Sequence, residues 1–182
     1  MPNYRRARTP GGTYFFTVVT YQRQHILTEG KSLETLHGVI EEVRITYPFV
    51  IEGWVVLPDH VHCIWTLQDG DKEFSKRWGL IKAGFTKHMK PFLQRHELLT
   101  ESRKRHQEGT IWQRRFWEHH IRDDDDYRKH IDYMHYNPVK HGLVKRTRDW
   151  PHSSFHEYCR QGMYPVDWGD ETELKFLGDF GE

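Results

Sequence analysis

His60 and His62 flank one apolar residue in Trp54-Val55-Val56-Leu57-Pro58-Asp59-His60-Val61-His62-Cys63-Ile64-Trp65, a run with the Val, Ile and Trp content of a buried strand. Strand side chains alternate between faces, so the two histidines project to one side and Val61 to the other. At ~3.3 Å of rise per residue their bases stand about 7 Å apart, and both rings can point at one ion between them. Far downstream, Tyr133 and Asn137 lie four residues apart in Asp132-Tyr133-Met134-His135-Tyr136-Asn137-Pro138-Val139, a spacing that puts them on one face of a helix. A phenol can serve as a nucleophile, and an amide oxygen as a hard ligand for a divalent cation. With the histidine pair these are the parts of a phosphoryl-transfer site. The ion would polarise a non-bridging oxygen, and the phenol would be held in line with phosphorus. Each half has an ordinary alternative. A bare His-x-His pair is more often half-buried polar surface, a helix tyrosine is usually amphipathic packing, and Asn before Pro commonly ends a helix. Only the combination points to chemistry.

The elements that must position these groups are legible from periodicity. Thr13 to Tyr21 reads as a strand, and Leu33, Leu36, Ile40, Val43 and Tyr47 mark an amphipathic helix closed by Pro48. Phe49–Leu57 and Val61–Leu67 read as two strands joined around Pro58-Asp59. A second helix runs from Phe74 to about His96, with Trp78, Ile81, Phe85, Met89 and Phe92 on one side and Pro91 ending or kinking it. Residues 101–109 read as a polar, mobile loop, and Ile111 to Ile121 as a strand or short hairpin. Asp123 to Asp126 supply an N-cap and first-turn carboxylates for a third helix, about Asp124 to Tyr136, bounded by Pro138. Strand, helix, strand, strand, helix, strand is the split order of an α+β, ferredoxin-like βαββαβ antiparallel sheet. The added helix and a C-terminal tail follow it.

With 182 residues the chain fits one domain. We divide it into a basic arm (1–12), a catalytic domain (13–145), and a C-terminal helix with an acidic tail (146–182). Hydrophobic residues make up only 36%, but the 14% of aromatics supply much of the missing burial and leave some for a binding face. Cys63 and Cys159 form no paired motif, no apolar run is long enough to span a membrane, and the N-terminus lacks a signal core. A reduced, cytoplasmic protein with no membrane partner is the expectation.

The net charge of +1 hides an asymmetry. Lys72 to Arg115 holds twelve Lys/Arg against four Glu, an excess of +8, while Val166 to Glu182 holds six Asp/Glu against one Lys, an excess of −5. The basic stretch fits a phosphate backbone and steep salt dependence. The acidic tail is either a solvated end or a competitor for the same groove. Candidate DNA contacts are Tyr4, Arg5, Arg6, Arg8, Lys82, Arg114, Arg115 and Arg122, with neighbouring Trp and Tyr available to stack on unpaired bases. His119 and His120 suit packing or DNA contact, while His135, His141, His152 and His156 read as surface residues. Tyr136 is the alternative nucleophile, on a less suitable helix face.

These strings together resemble a known family. His60-Val61-His62 is similar to the histidine-hydrophobic-histidine (HUH) signature of single-strand nucleases. The Trp54–Trp65 run, Phe116-Trp117-Glu118-His119 and Asn137-Pro138-Val139-Lys140-His141-Gly142-Leu143-Val144 resemble the REP-associated tyrosine transposases, from the Tyr4-Arg5-Arg6 arm to about Trp168. The resemblance implies a ferredoxin-like fold, Tyr133 as the single nucleophile, and His60, His62 and Asn137 as ligands of Mg²⁺ or Mn²⁺. Two imidazoles suit Mn²⁺ better, and Mg²⁺ prefers oxygen. It also implies cleavage and rejoining of single-stranded DNA beside palindromic (REP-type) hairpins through a 5′-phosphotyrosine. The family favours a monomer, and the sequence leaves monomer or dimer open. The competing readings are a non-catalytic single-stranded nucleic-acid-binding domain and a metal-dependent nuclease using activated water.

Overall fold

The computed structural model describes residues 9–106, 108–170 and 180. Four strands, β1 (Thr13–Val19), β2 (Phe49–Val56), β3 (His60–Leu67) and β4 (Trp117–His120), form one sheet in the order β2-β3-β1-β4. Every neighbouring pair is antiparallel. Helices α1 (Ser32–Thr46) and α2 (Phe74–Leu93) connect β1 to β2 and lead on from β3. This is the split order anticipated for a ferredoxin-like sheet.

Alternation along the strands builds two unlike faces. Tyr14, Phe16, Val18, Val61, Cys63, Trp65 and Leu67 point to the α1/α2 side and pack with Leu36, Val39, Trp78, Ile81 and Phe85. Trp65 and Trp78 stack there with ring centroids 4.4 Å apart. Gly84 makes the two helices fit, because a Cβ at that position would meet Val39 Cγ1 at 2.7 Å. The opposite face carries Phe15, Val55 and Ile64 against Ile131, Tyr133 and Met134 of α4 (Asp124–Lys140). Gly53 lets α4 approach β2, since a Cβ there would stand 2.6 Å from Ile131 Cδ1. After α4 the chain docks back on β2. Val56 N–H donates to His152 O at 2.9 Å, and Trp150 Nε1–H donates to Val56 O at 3.0 Å. Helix α5 (Phe155–Arg160) follows.

The structure corrects several local expectations. Helix α4 does not stop at Pro138 but runs through it to Lys140, so Asn137 lies inside the helix. Proline loses its own N–H bond and crowds the carbonyl one turn back, and the complete burial of Asn137 and the burial of Pro138 hold the last turn against that cost. Pro91 likewise lies within α2. The supposedly mobile loop contains α3 (Glu101–Arg105), N-capped by Thr100. Buried Arg103 ties it down by donating to Gly109 O (2.9 Å) and Trp112 O (3.0 Å) beneath the Tyr21 ring. The fourth strand is only four residues long, and Trp112 contributes a single bridge to Thr20. His135 is buried, not on the surface. Among the described residues no helix is long and apolar enough to cross a membrane.

Candidate active site

Asp123, the residue before α4, accepts from the Asp126 backbone N–H at 2.8 Å and starts the helix where the run of aspartates predicts. The helix then lies across the face of β3 that carries His60 and His62. Their ring centroids are 4.7 Å apart at 81°, and the Tyr133 ring lies 5.5 Å from that of His62. His60, His62, Tyr133 and Asn137 are all buried, each 2% exposed or less.

Hydrogen bonds orient each histidine through Nδ1. Burial pushes the Asp59 carboxyl up, but bonds and charge from His60 and Arg23 outweigh it and hold the group at about 2. Asp59 is therefore an acceptor, and His60 Nδ1–H donates to its Oδ1 at 2.6 Å. The Thr17 hydroxyl gives its one proton to Phe180 O at 2.6 Å, so His62 Nδ1–H donates to Thr17 Oγ1 at 2.9 Å. Each ring is thus held from its Nδ1 side. A carboxylate or hydroxyl behind Nδ1 is the arrangement that orients metal-binding histidines. Two imidazoles and an amide are donor types that suit a borderline divalent ion, and all three side chains are buried here.

Lys140, two turns after Tyr133, donates from Nζ to the Tyr133 hydroxyl at 3.0 Å. An ammonium beside a phenol oxygen offers a charge-assisted donor to negative charge that develops there. Tyr136 faces elsewhere, with its ring edge-on to Trp168 at 6.4 Å. Phe180 covers Tyr133. Their rings are 4.1 Å apart at 28°, and Phe180 is only 8% exposed. Beside them a second group joins β4 to α4. His119 Nε2 is 2.8 Å from Asp126 Oδ2, and His130 Nδ1 is 3.3 Å from Asp126 Oδ1. One ligand atom from each of His119, Asp126 and His130 lies within 4.8 Å of the others, a grouping that could hold an ion.

The proposed DNA contacts divide three ways. Tyr4, Arg5, Arg6 and Arg8 lie outside the described residues. Lys82 donates to Gln113 O at 2.9 Å, and Arg122 Nε donates to Asp126 at 3.1 Å, so both are engaged with the fold. Arg115 is exposed, and Arg114 is exposed and 3.4 Å from Glu108. The structure also adds partners that residue spacing did not single out. Asp59 adjoins His60 and Lys140 follows Tyr133 at i+7, both readable signals. Thr17 and Phe180 are distant in the chain and gave none.

Known proteins match this architecture. No protein-family model matches the chain. It is 46% identical over 176 residues to the REP-associated tyrosine transposase of Escherichia coli K12, covering 96% of this chain and 95% of that protein. It is 41% identical over 180 residues to a putative REP-associated tyrosine transposase of Haemophilus influenzae, covering 98% and 99% of the two chains. A solved REP-associated tyrosine transposase bound to a REP hairpin superposes with a TM-score of 0.79 at 45% identity, covering 100% of this chain and 98% of that one.

Proposed function

The chain belongs to the REP-associated tyrosine transposases, and from that premise we propose that it cleaves and rejoins single-stranded DNA beside a palindromic hairpin, with Tyr133 as nucleophile. The solved relative bound to a REP hairpin supports this choice of substrate. The observation that carries the reading is the Tyr133 hydroxyl held by Lys140 while its ring lies against His62.

In the forward step the Tyr133 oxygen loses its proton to solvent and bonds to phosphorus. The bond from phosphorus to the 3′ oxygen breaks, and that oxygen leaves protonated. The product is a free 3′-OH and a 5′-phosphate linked to Tyr133. A second 3′-OH reverses the sequence and reseals the strand, so the phosphodiester energy is conserved without ATP. Lys140 stabilises the phenolate on the way in and on the way out. His60 and His62 through Nε2, with Asn137, would hold one Mg²⁺ or Mn²⁺. When bound, the ion supplies Lewis-acid polarisation of the phosphate and a fixed point for it. Asp59 and Thr17 keep the two rings aimed. Phe180 lies over the Tyr133 ring and has to move before DNA occupies the site, which supports the reading of the C-terminal segment as a competitor.

The test is a denaturing gel of the protein incubated with a hairpin oligonucleotide carrying a single-stranded flank, with and without Mn²⁺. A covalent protein–DNA band that vanishes in EDTA, and maps by mass spectrometry to the Tyr133 peptide, is the expected result. Cleavage with no adduct would instead identify activated water, and binding with no cleavage a recognition module.

A further inference from the structure

Phe180 occupies a slot with more structure than an apolar patch. One wall is the Tyr133 ring, near-parallel to Phe180 at 4.1 Å. Phe15 meets it edge-on at 6.3 Å, and His130 stands perpendicular to it at 4.8 Å. At one rim the Thr17 hydroxyl donates to the Phe180 carbonyl. His130 brings a second polar group. Its Nδ1–H donates to the Asp126 backbone carbonyl at 2.8 Å, which leaves Nε2 with the lone pair. That nitrogen is buried and has no hydrogen-bond partner among the described residues, an arrangement that normally requires an explanation.

A flat slot walled by the nucleophile's own ring, with a hydroxyl donor and an imidazole acceptor, is the chemistry of a nucleobase site. We infer that the Phe180 slot is a base-binding subsite, taking the base of a nucleotide next to the scissile phosphate, and that Phe180 stands in for that base. The inference rests on the cleavage reading above and deepens it. Stacking of the base on Tyr133 fixes that nucleotide beside the attacking oxygen. An N–H of the base meets His130 Nε2, and Thr17 offers its proton to a base carbonyl or ring nitrogen in place of the Phe180 carbonyl. Aromatic stacking tolerates any base, whereas the two polar groups add a preference.

The experiment places 2-aminopurine singly at each nucleotide flanking the cleavage position of a hairpin oligonucleotide and measures binding to the Tyr133→Phe protein, which retains the stacking ring. One position is expected to be quenched. An abasic residue there should weaken binding about fivefold or more, the low end of base–aromatic stacking. Phe180→Ala should tighten binding to the intact oligonucleotide but not to the abasic one, and Phe180→Trp should do the reverse. His130→Phe should erase the preference for thymine over 2,4-difluorotoluene, its isostere without N–H, at that position. A melting curve for each variant separates misfolding from loss of contact, and the Phe180 pair carries the test if His130→Phe unfolds. Quenching at no position, or an equal Phe180→Ala gain on abasic DNA, overturns the subsite. The Tyr133 adduct assay reads the cleavage mechanism independently of either result.

Discussion

The two faces of one sheet have opposite characters. The α1/α2 face is apolar and aromatic, with Trp65, Trp78, Phe74 and Phe85 buried at its centre. The α4 face buries His60, His62, His130, His135, Asn137 and the Tyr133 hydroxyl, groups that gain little from burial and must be hydrogen-bonded to be tolerated there. One face is apolar core, and the other gathers the polar groups of the proposed site. Substitutions on the two faces should therefore fail in different ways.

The sharpest contrast is between Tyr133→Phe and Phe85→Ala. Removing the Tyr133 oxygen should abolish covalent adduct and cleavage while shifting the melting temperature little, because the ring and its packing remain. Truncating fully buried Phe85 should cost about 3–5 kcal/mol of stability, read in denaturant titration, and leave cleavage per folded molecule near normal. A Phe85→Ala protein that folds well but cannot cut would break the division of labour.

Within the polar face, the supports of the reacting groups come next. Asp59→Asn removes the carboxylate behind His60 and should weaken Mn²⁺ affinity and cleavage about 10- to 100-fold, measured by metal titration. Lys140→Met should slow cleavage about 10- to 100-fold at pH 7, the scale of a charge-assisted hydrogen bond. Lys140→Arg should restore much of the rate, and full cleavage in Lys140→Met would reduce Lys140 to a packing contact.

The smallest effect is on acid stability. Burial holds His135 at about 3, against 6.5 for a free imidazole. The unfolded chain binds that proton first, so stability is fully present above pH 6.5 and falls as pH drops toward 3. Melting curves from pH 7 to 4.5 should slope downward, and less so for His135→Gln. An equal slope in both proteins would assign the acid loss elsewhere.

Much of this site is legible because it follows short periods. A period of two places His60 and His62 together against Val61, and a period of 3.6 puts Tyr133 and Asn137 on one helix face. Asp123 announces the start of that helix. Where local rules conflict with packing, the local reading gives way. Pro138 signals a stop, yet Asn137 and its neighbours are buried deeply enough for α4 to continue through Lys140. That extra turn brings Lys140 to the Tyr133 hydroxyl. His135 reads as surface only because α5 and Ser154, which cover it, come later in the chain.

The sequence by itself determined the split strand–helix order, the face of the histidine pair and the pairing of Tyr133 with Asn137, since each depends on residues within one element. The tertiary structure alone decided which nitrogens face the site, what holds the phenol and what covers it. Those outcomes depend on contacts such as Thr17 with His62 and with Phe180, whose partners are 45 and 163 residues apart. No local periodicity encodes such separations. They arise only when the sheet aligns β1 with β3 and the chain returns across α4.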